Sequence, residues 1–426
     1  MQPPFWYQLI LSLLKPIYRY RIRQRATNDT ELQAELTQRF GPFIAAKNQH
    51  SIWFHAVSVG ETNAAQPLIQ HYLNQGHSVL VTNTTKTGQA RAKALFEKNY
   101  PTQFEAVFLP VDQKKNVVRF LKHYQPRILL LMETELWPNL LATVKAFDIP
   151  QLLINARLSE KSAKGYARFK SLIQPMLNQL NWIAVQDQAA FERFAILGKS
   201  TDEMNVTGNI KFDIQPPHDV ESHAEQLIDA WQLQQRKIMV LASTHAPEER
   251  DILTALKPYL MADPQLICIV VPRHPERFAS VLHDIQDLNL PFAQRSLKQP
   301  IDATTQVYLA DSMGELWLWY AIAQAAFVGG SLNTPGGGHN ILEPIALRVA
   351  TVLGTNYFNF QTIVDEFKQH NAIAILPDAA SVAKQLVHLC QDKSRQSLVQ
   401  HAQRVLNQNQ GALKLHIQLI DQFLIQ

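Results

Sequence analysis

Short apolar runs alternate with amphipathic stretches along most of this chain, and the pattern starts twice. In the first half the runs lie at 52–54, 78–82, 106–110, 127–132, 151–154 and 182–185. In the second half they lie at 237–242, 266–271, 306–309, 325–328 and 351–353, with helical patterns from Ala379 onward. Brief apolar runs with helices between them predict a parallel α/β sheet joined by right-handed crossovers. Between the two series, residues 206–218 carry Gly208 and the pair Pro216-Pro217, which reads as a linker. A chain of 426 residues also exceeds one ordinary core. The prediction is two Rossmann-like domains facing across a cleft, at 29–207 and 208–426, preceded by a separate segment 1–28.

In open parallel sheets ligands bind at the carboxyl ends of the strands. The stretch Ile52 to Glu61, IWFHAVSVGE, is a strand, a small-residue turn and a helix start, so it places Glu61 at such an end. Two readings stand for this carboxylate: an acid favoured by the helix dipole, or a general base. A helix start favours the ionised form, so a base there needs an apolar lining or a bound acceptor to raise its pKa. Glu133-Thr134-Glu135 closes another apolar run and is the nearest approach to paired carboxylates.

In the second half Arg273 follows the run 266–271, placed either to bind an anion or to sit on the surface. Ser312 and Glu315 have capping-box spacing, while Gly314 between them lets a ligand approach the backbone. The stretch 328–344, VGGSLNTPGGGHNILEP, holds five of the 15 glycines. Its amides after Gly330 can receive a phosphate, or the stretch is a mobile surface loop. Neither P-loop nor dinucleotide spacing is present, and no Cys/His spacing for a metal. Lys211 is a candidate cation beside the linker.

Composition narrows the class. A net charge of +4 makes no case for a nucleic-acid partner. Two cysteines, Cys268 and Cys390, build no disulfide framework and suit a reducing compartment. The N-terminus departs from the rest. PFWYQLILSLL is followed by Lys15, Arg19, Arg21, Arg23 and Arg25, with no acid before Asp29. That run is short of the ~20 residues needed to span a bilayer, and its charges follow it where a signal peptide's precede. An apolar helix with a basic flank suits shallow insertion at an anionic leaflet, or docking on the domain with its charges in water.

The segments HAVSVGE, METELWPN, NARLS, TGNIKFD, ASTH, VPRHPERF, DSMGEL and VGGSL…GGHNILEP, in this order, resemble the 3-deoxy-D-manno-octulosonic acid (Kdo) transferases of lipopolysaccharide synthesis. The resemblance implies a GT-B fold and transfer of Kdo from CMP-Kdo to a lipid A precursor (lipid IVA), without cofactor or metal. It further implies the cytoplasmic side of the inner membrane and contact with its anionic lipids. Glu61 resembles the family's general base, and Glu133 and Lys211 its transition-state supports. Pro272, Arg273, Met313, Gly314, Glu315, Asn340, Ile341, Leu342 and Glu343 resemble its CMP-binding segments. Arg273 and the amides after Gly330 are then expected at the phosphate, and Lys211 at the Kdo carboxylate or the departing phosphate. Ile341 stands where the family often has proline, which alters the loop entry. Two rivals are another GT-B enzyme, such as a UDP-GlcNAc epimerase, and a non-catalytic membrane-associated protein binding nucleotide or lipid.

Overall fold

The structure is a computed structural model that describes residues 3–43, 46–391 and 394–425. The chain forms two compact units, Met1–Asp213 with Gln410–Gln426, and Ile214–Asn409. The first unit carries β1 (Ile52–His55), β2 (Val79–Asn83), β3 (Phe104–Phe108), β4 (Ile128–Met132), β5 (Gln151–Ala156), β6 (Trp182–Val185) and β7 (Met204–Val206). They form one sheet in the order β3-β2-β1-β4-β5-β6-β7, with every pairing parallel.

The period of two along each strand sorts side chains into two cores. Trp53, Leu129 and Leu131 join one buried cluster. Ile52, Phe54, Ile128, Leu130 and Met132 join the cluster on the other face. Burying a large apolar side chain contributes roughly 1.5–3 kcal/mol, so both faces of a fully buried strand stabilise this layering. The order reverses between β1 and β4, and a crevice at such a switch point is where open α/β sheets take ligands.

The second unit repeats the plan with β8 (Lys237–Thr244), β9 (Leu266–Pro272), β10 (Phe292–Gln294), β11 (Val307–Leu309), β12 (Ala325–Val328), β13 (Ala350–Leu353) and β14 (Ala374–Ile375). Its order is β10-β11-β9-β8-β12-β13-β14, again all parallel, so the switch lies between β8 and β12.

The boundary at 208–426 needs a correction at the C-terminus. The helix Ala412–Leu424 packs on the first unit, where Ala412, Leu419 and Ile420 join the cluster around Phe54. Asp213 fixes its start by accepting the Gly411 and Leu413 N–H groups, both at 2.6 Å. Buried His416 accepts the Asn155 N–H through Nε2 at 2.9 Å, and burial lowers its pKa to about 4.

At the other end, the helix Phe5–Arg25 docks on the first unit. Ile22 is buried against Leu32 and Phe40, and the Tyr7 hydroxyl donates to the buried Asp112 carboxylate at 2.7 Å. Phe5, Leu9, Ile10, Leu13, Leu14 and Ile17 remain exposed along it. Among the described residues no helix is long and apolar enough to cross a membrane.

Candidate active site

Ser58 caps the helix Val59–Asn74 by accepting the Glu61 N–H. Glu61 completes the turn: its carboxylate accepts the Val57 N–H at 2.7 Å and the Ser58 hydroxyl at 3.1 Å. This is a capping box shifted by one residue, and it fixes the side chain beside the β1 carboxyl end. Burial raises the Glu61 pKa above its ordinary value of 4.5, outweighing the Val57 hydrogen bond that lowers it. The charges of Glu133 and Glu135 raise it further, while His55 opposes them. The helix start alone therefore does not set this group's protonation. Desolvation does.

Glu133 directly follows β4, the neighbour of β1, and holds a left-handed φ of 57°. Such backbone costs a non-glycine residue about 1–2 kcal/mol, which the fixed contacts around the carboxylate offset. One oxygen accepts from Arg157 Nε at 2.6 Å, and the other lies 3.3 Å from Lys211 Nζ. Lys211 sits in the short 3-10 turn Ile210–Asp213, which Asn155 anchors by accepting the Ile210 N–H. Glu135 accepts the Trp137 indole N–H at 2.9 Å and stands 3.8 Å from Nε2 of the buried His55. The first unit thus gathers Glu61, Glu133 and Lys211 at one end of its sheet. Arg157 belongs with them. It follows β5 within NARLS, and a strand end beside β4 is the signal that could have singled it out.

In the second unit Pro272 ends β9 with its ring buried, and Arg273 emerges exposed. The Arg273 backbone N–H donates to the Thr244 carbonyl, tying the ends of β9 and β8 together. Asn340 bridges its own turn: Nδ2 donates to Glu343 at 3.2 Å and Oδ1 accepts the Leu342 N–H at 3.1 Å. Burial raises the Glu343 pKa, and the Arg273 charge counters it, so the two side chains sense one another. Ile341 and Leu342 point into the core, leaving only their backbone for a ligand.

Two expectations change here. The amides after Gly330 already hold an anion belonging to the protein. Glu248, 1% exposed, accepts the N–H groups of His245, Gly330, Ser331 and Leu332 at 2.8–2.9 Å. The glycines permit this approach, since a Cβ on Gly329 would fall 2.6 Å from the Ser243 carbonyl oxygen and 2.9 Å from the Glu248 carboxylate. Phosphate is therefore not bound by those amides. The surface-loop reading of 336–338 also fails to describe the geometry: Gly338 N–H donates to the Gly330 carbonyl at 2.7 Å and Gly337 N–H to Asn356.

The second change concerns Ser312 and Glu315. The helix Leu316–Ala321 starts after Glu315 without a side-chain cap, and the Glu315 carboxylate pairs with Arg295 at 3.0 and 2.5 Å. Ser312 also donates to it. The ion pair lowers the Glu315 pKa and leaves exposed Met313 and Gly314, at φ +87° with open space around it, presenting backbone outward.

Two all-parallel sheet units, each with charged side chains at the carboxyl ends of its strands, give the two-domain fold of the GT-B class. The crystal structure of a glycosyltransferase from Rickettsia africae has this fold at 13% identity, covering 88% of this chain and 99% of its own, with a TM-score of 0.53. Residues 34–214 match the family model for 3-deoxy-D-manno-octulosonic-acid transferase (kdotransferase). The 3-deoxy-D-manno-octulosonic acid transferase of Haemophilus influenzae is 35% identical across 99% of this chain and 98% of its own. The crystallised C-terminal CMP-Kdo binding domain of WaaA from Acinetobacter baumannii is 55% identical, covering 45% of this chain and 99% of that one, with a TM-score of 0.44. The chain belongs to the Kdo transferase family and is a glycosyltransferase of lipopolysaccharide synthesis.

Proposed function

We propose that this enzyme moves Kdo from CMP-Kdo to lipid IVA or a closely similar lipid A precursor by an inverting displacement. The observation that carries the reading is Glu61, a carboxylate with a raised pKa, held by a capping box at the switch point of the first sheet. Glu61 takes the proton of an acceptor hydroxyl as that oxygen attacks the anomeric carbon of Kdo. The bond from that carbon to the phosphate oxygen breaks, and its electron pair leaves with CMP. A raised pKa strengthens the driving force for taking the acceptor proton. Lys211 carries positive charge to the Kdo carboxylate or the departing phosphate. Glu133 orients it, together with Arg157.

CMP is assigned to the second unit: Pro272, Arg273, the backbone of Met313, Gly314 and Glu315, and the segment Asn340, Ile341, Leu342 and Glu343. Arg273 supplies a planar guanidinium for the phosphate, and Glu343 an acceptor for ribose hydroxyls. A charge-assisted hydrogen bond contributes about 1.5–3 kcal/mol. Arg273→Ala should accordingly weaken CMP binding by roughly ten- to a hundredfold in calorimetry. Unchanged affinity would remove Arg273 from the nucleotide site.

The helix Phe5–Arg25 fits attachment to the cytoplasmic side of the inner membrane, with its exposed apolar side chains in the interface and its basic residues at anionic headgroups. Each basic residue near such a surface contributes about 1 kcal/mol. Replacing exposed Arg21 and Arg23 by Gln should reduce partitioning onto phosphatidylglycerol-containing vesicles about thirtyfold at low salt. Partitioning that ignores both substitutions would argue for a helix that only docks on its own domain.

A further inference from the structure

Three imidazoles meet in the second unit, between the two segments that flank the proposed phosphate position. His245 follows β8, His274 follows Arg273, and His339 precedes Asn340. Nε2 of His245 lies 2.8 Å from Nε2 of His339, and the rings stack at 12° with centroids 5.1 Å apart. A contact that short between two ring nitrogens is a hydrogen bond, so one ring carries its proton on Nε2 and the other on Nδ1. His274 meets His245 edge-on at 5.3 Å.

The pair is built in. Glu248 accepts the N–H groups of His245 and Gly330, and the Gly330 carbonyl accepts the N–H of Gly338, the residue before His339. Gly330, at φ +68°, runs directly beneath both rings: a Cβ there would lie 3.1 Å from His339 and 3.5 Å from His245. The surrounding charges are mixed. Arg273 and His274 after β9 oppose protonation of both rings, Arg277 opposes it at His245, and Glu249 favours it there. Burial is the largest influence on each, holding His339 down to about 4 and lowering His245. Both rings are thereby held toward their neutral forms.

We propose that His245 and His339 form a proton-sharing dyad that takes up one proton from solvent when CMP binds beside Arg273 as a phosphomonoester dianion, and returns it on release. This rests on the assignment of CMP to the second unit. Before transfer the donor's phosphodiester carries one negative charge. Cleavage of the anomeric C–O bond leaves the electron pair on phosphate and gives CMP a second charge. The acceptor proton has gone to Glu61, so the charge on CMP is balanced by a proton drawn from water onto the dyad. A neutral dyad suits the diester donor, and a cationic one the monoester product, so the pair distinguishes the two ends of the reaction.

The test is calorimetric titration of CMP into the full-length protein between pH 7.5 and 8.5, where CMP is already dianionic because a phosphomonoester's second pKa is about 6. Uptake of one proton weakens the affinity about tenfold per pH unit, and the heat varies with the buffer's ionisation enthalpy. Expected results are that slope for the native protein and for His274→Gln, and a flat profile for His245→Asn and His339→Gln. A flat native profile overturns the dyad, as does a slope abolished by His274→Gln alone. Should either dyad variant fail to bind CMP, ¹⁵N shifts of the native imidazoles decide: one imidazolium charge shared between these two rings on adding CMP supports the proposal, and unchanged neutral rings overturn it. If native protein binds no CMP at all, the nucleotide assignment itself falls.

Discussion

Replacing Glu61 by Gln should lower Kdo transfer by about 10²–10⁴-fold while the protein stays folded, because general base catalysis is worth that much. The substitution is nearly isosteric. A Gln side-chain oxygen can still accept the Val57 N–H, so the helix start survives. Stability should hold or rise, and the sign follows from the pKa. Glu61 in the folded state ionises above its unfolded value of 4.5, so folding favours the protonated acid. That contribution is present below pH 4.5 and is lost as pH rises through the folded pKa. At neutral pH the ionised group is a cost that Gln removes. Turnover follows the same pKa from the other side: the native rate should fall with acidification as the base takes up its proton, and the residual rate of Glu61→Gln should lack that limb. A variant that loses activity together with its thermal transition would point to capping alone.

Glu248→Ala should be the most damaging single change in the second unit. It strips the acceptor from four backbone N–H groups, of which those of Gly330 and Ser331 are fully buried. An unsatisfied buried donor costs about 1–3 kcal/mol, so a loss of about 3 kcal/mol or more is expected even if water enters the space. Denaturant titration of the full-length chain, followed by a probe in the second unit, measures it. Glu248→Gln separates charge from shape. It keeps one carbonyl-type acceptor and should recover part of the stability, yet its amide N–H₂ faces donors and cannot replace the second oxygen. CMP affinity should fall with it, since the same loop carries Asn340 and Glu343. Equal stability of the Ala variant would mean that the loop holds its shape without this anion.

The central strands were legible because each is a run of buried apolar residues on both faces of a parallel sheet, a signal that survives without tertiary knowledge. The edges were not. Met204–Val206, Phe292–Gln294 and Ala374–Ile375 all lie at sheet edges and are at most three residues long, so they form no apolar run. The final helix was legible as a helix but not as part of the first unit, because that depends on Asp213 capping it from the end of the first unit's chain. Glu61 was visible as a helix-start acid. Its raised pKa comes first from burial in the folded unit, and then from the charges of Glu133 and Glu135, which β4 brings beside β1. Glu248 was the hardest to see. In sequence it is one of several acids at a helix start, and three of the four amides it serves come 82 or more residues later.

The most direct test of the whole account is product analysis. Purified full-length protein is incubated with CMP-Kdo and lipid IVA, and the lipid is examined by mass spectrometry beside a parallel reaction of Glu61→Gln. Native protein should yield lipid heavier by whole Kdo units with release of CMP, and the variant almost none of it. Lipid IVA recovered unchanged from native protein that demonstrably binds CMP would contradict the account, as would Kdo addition by Glu61→Gln at the native rate.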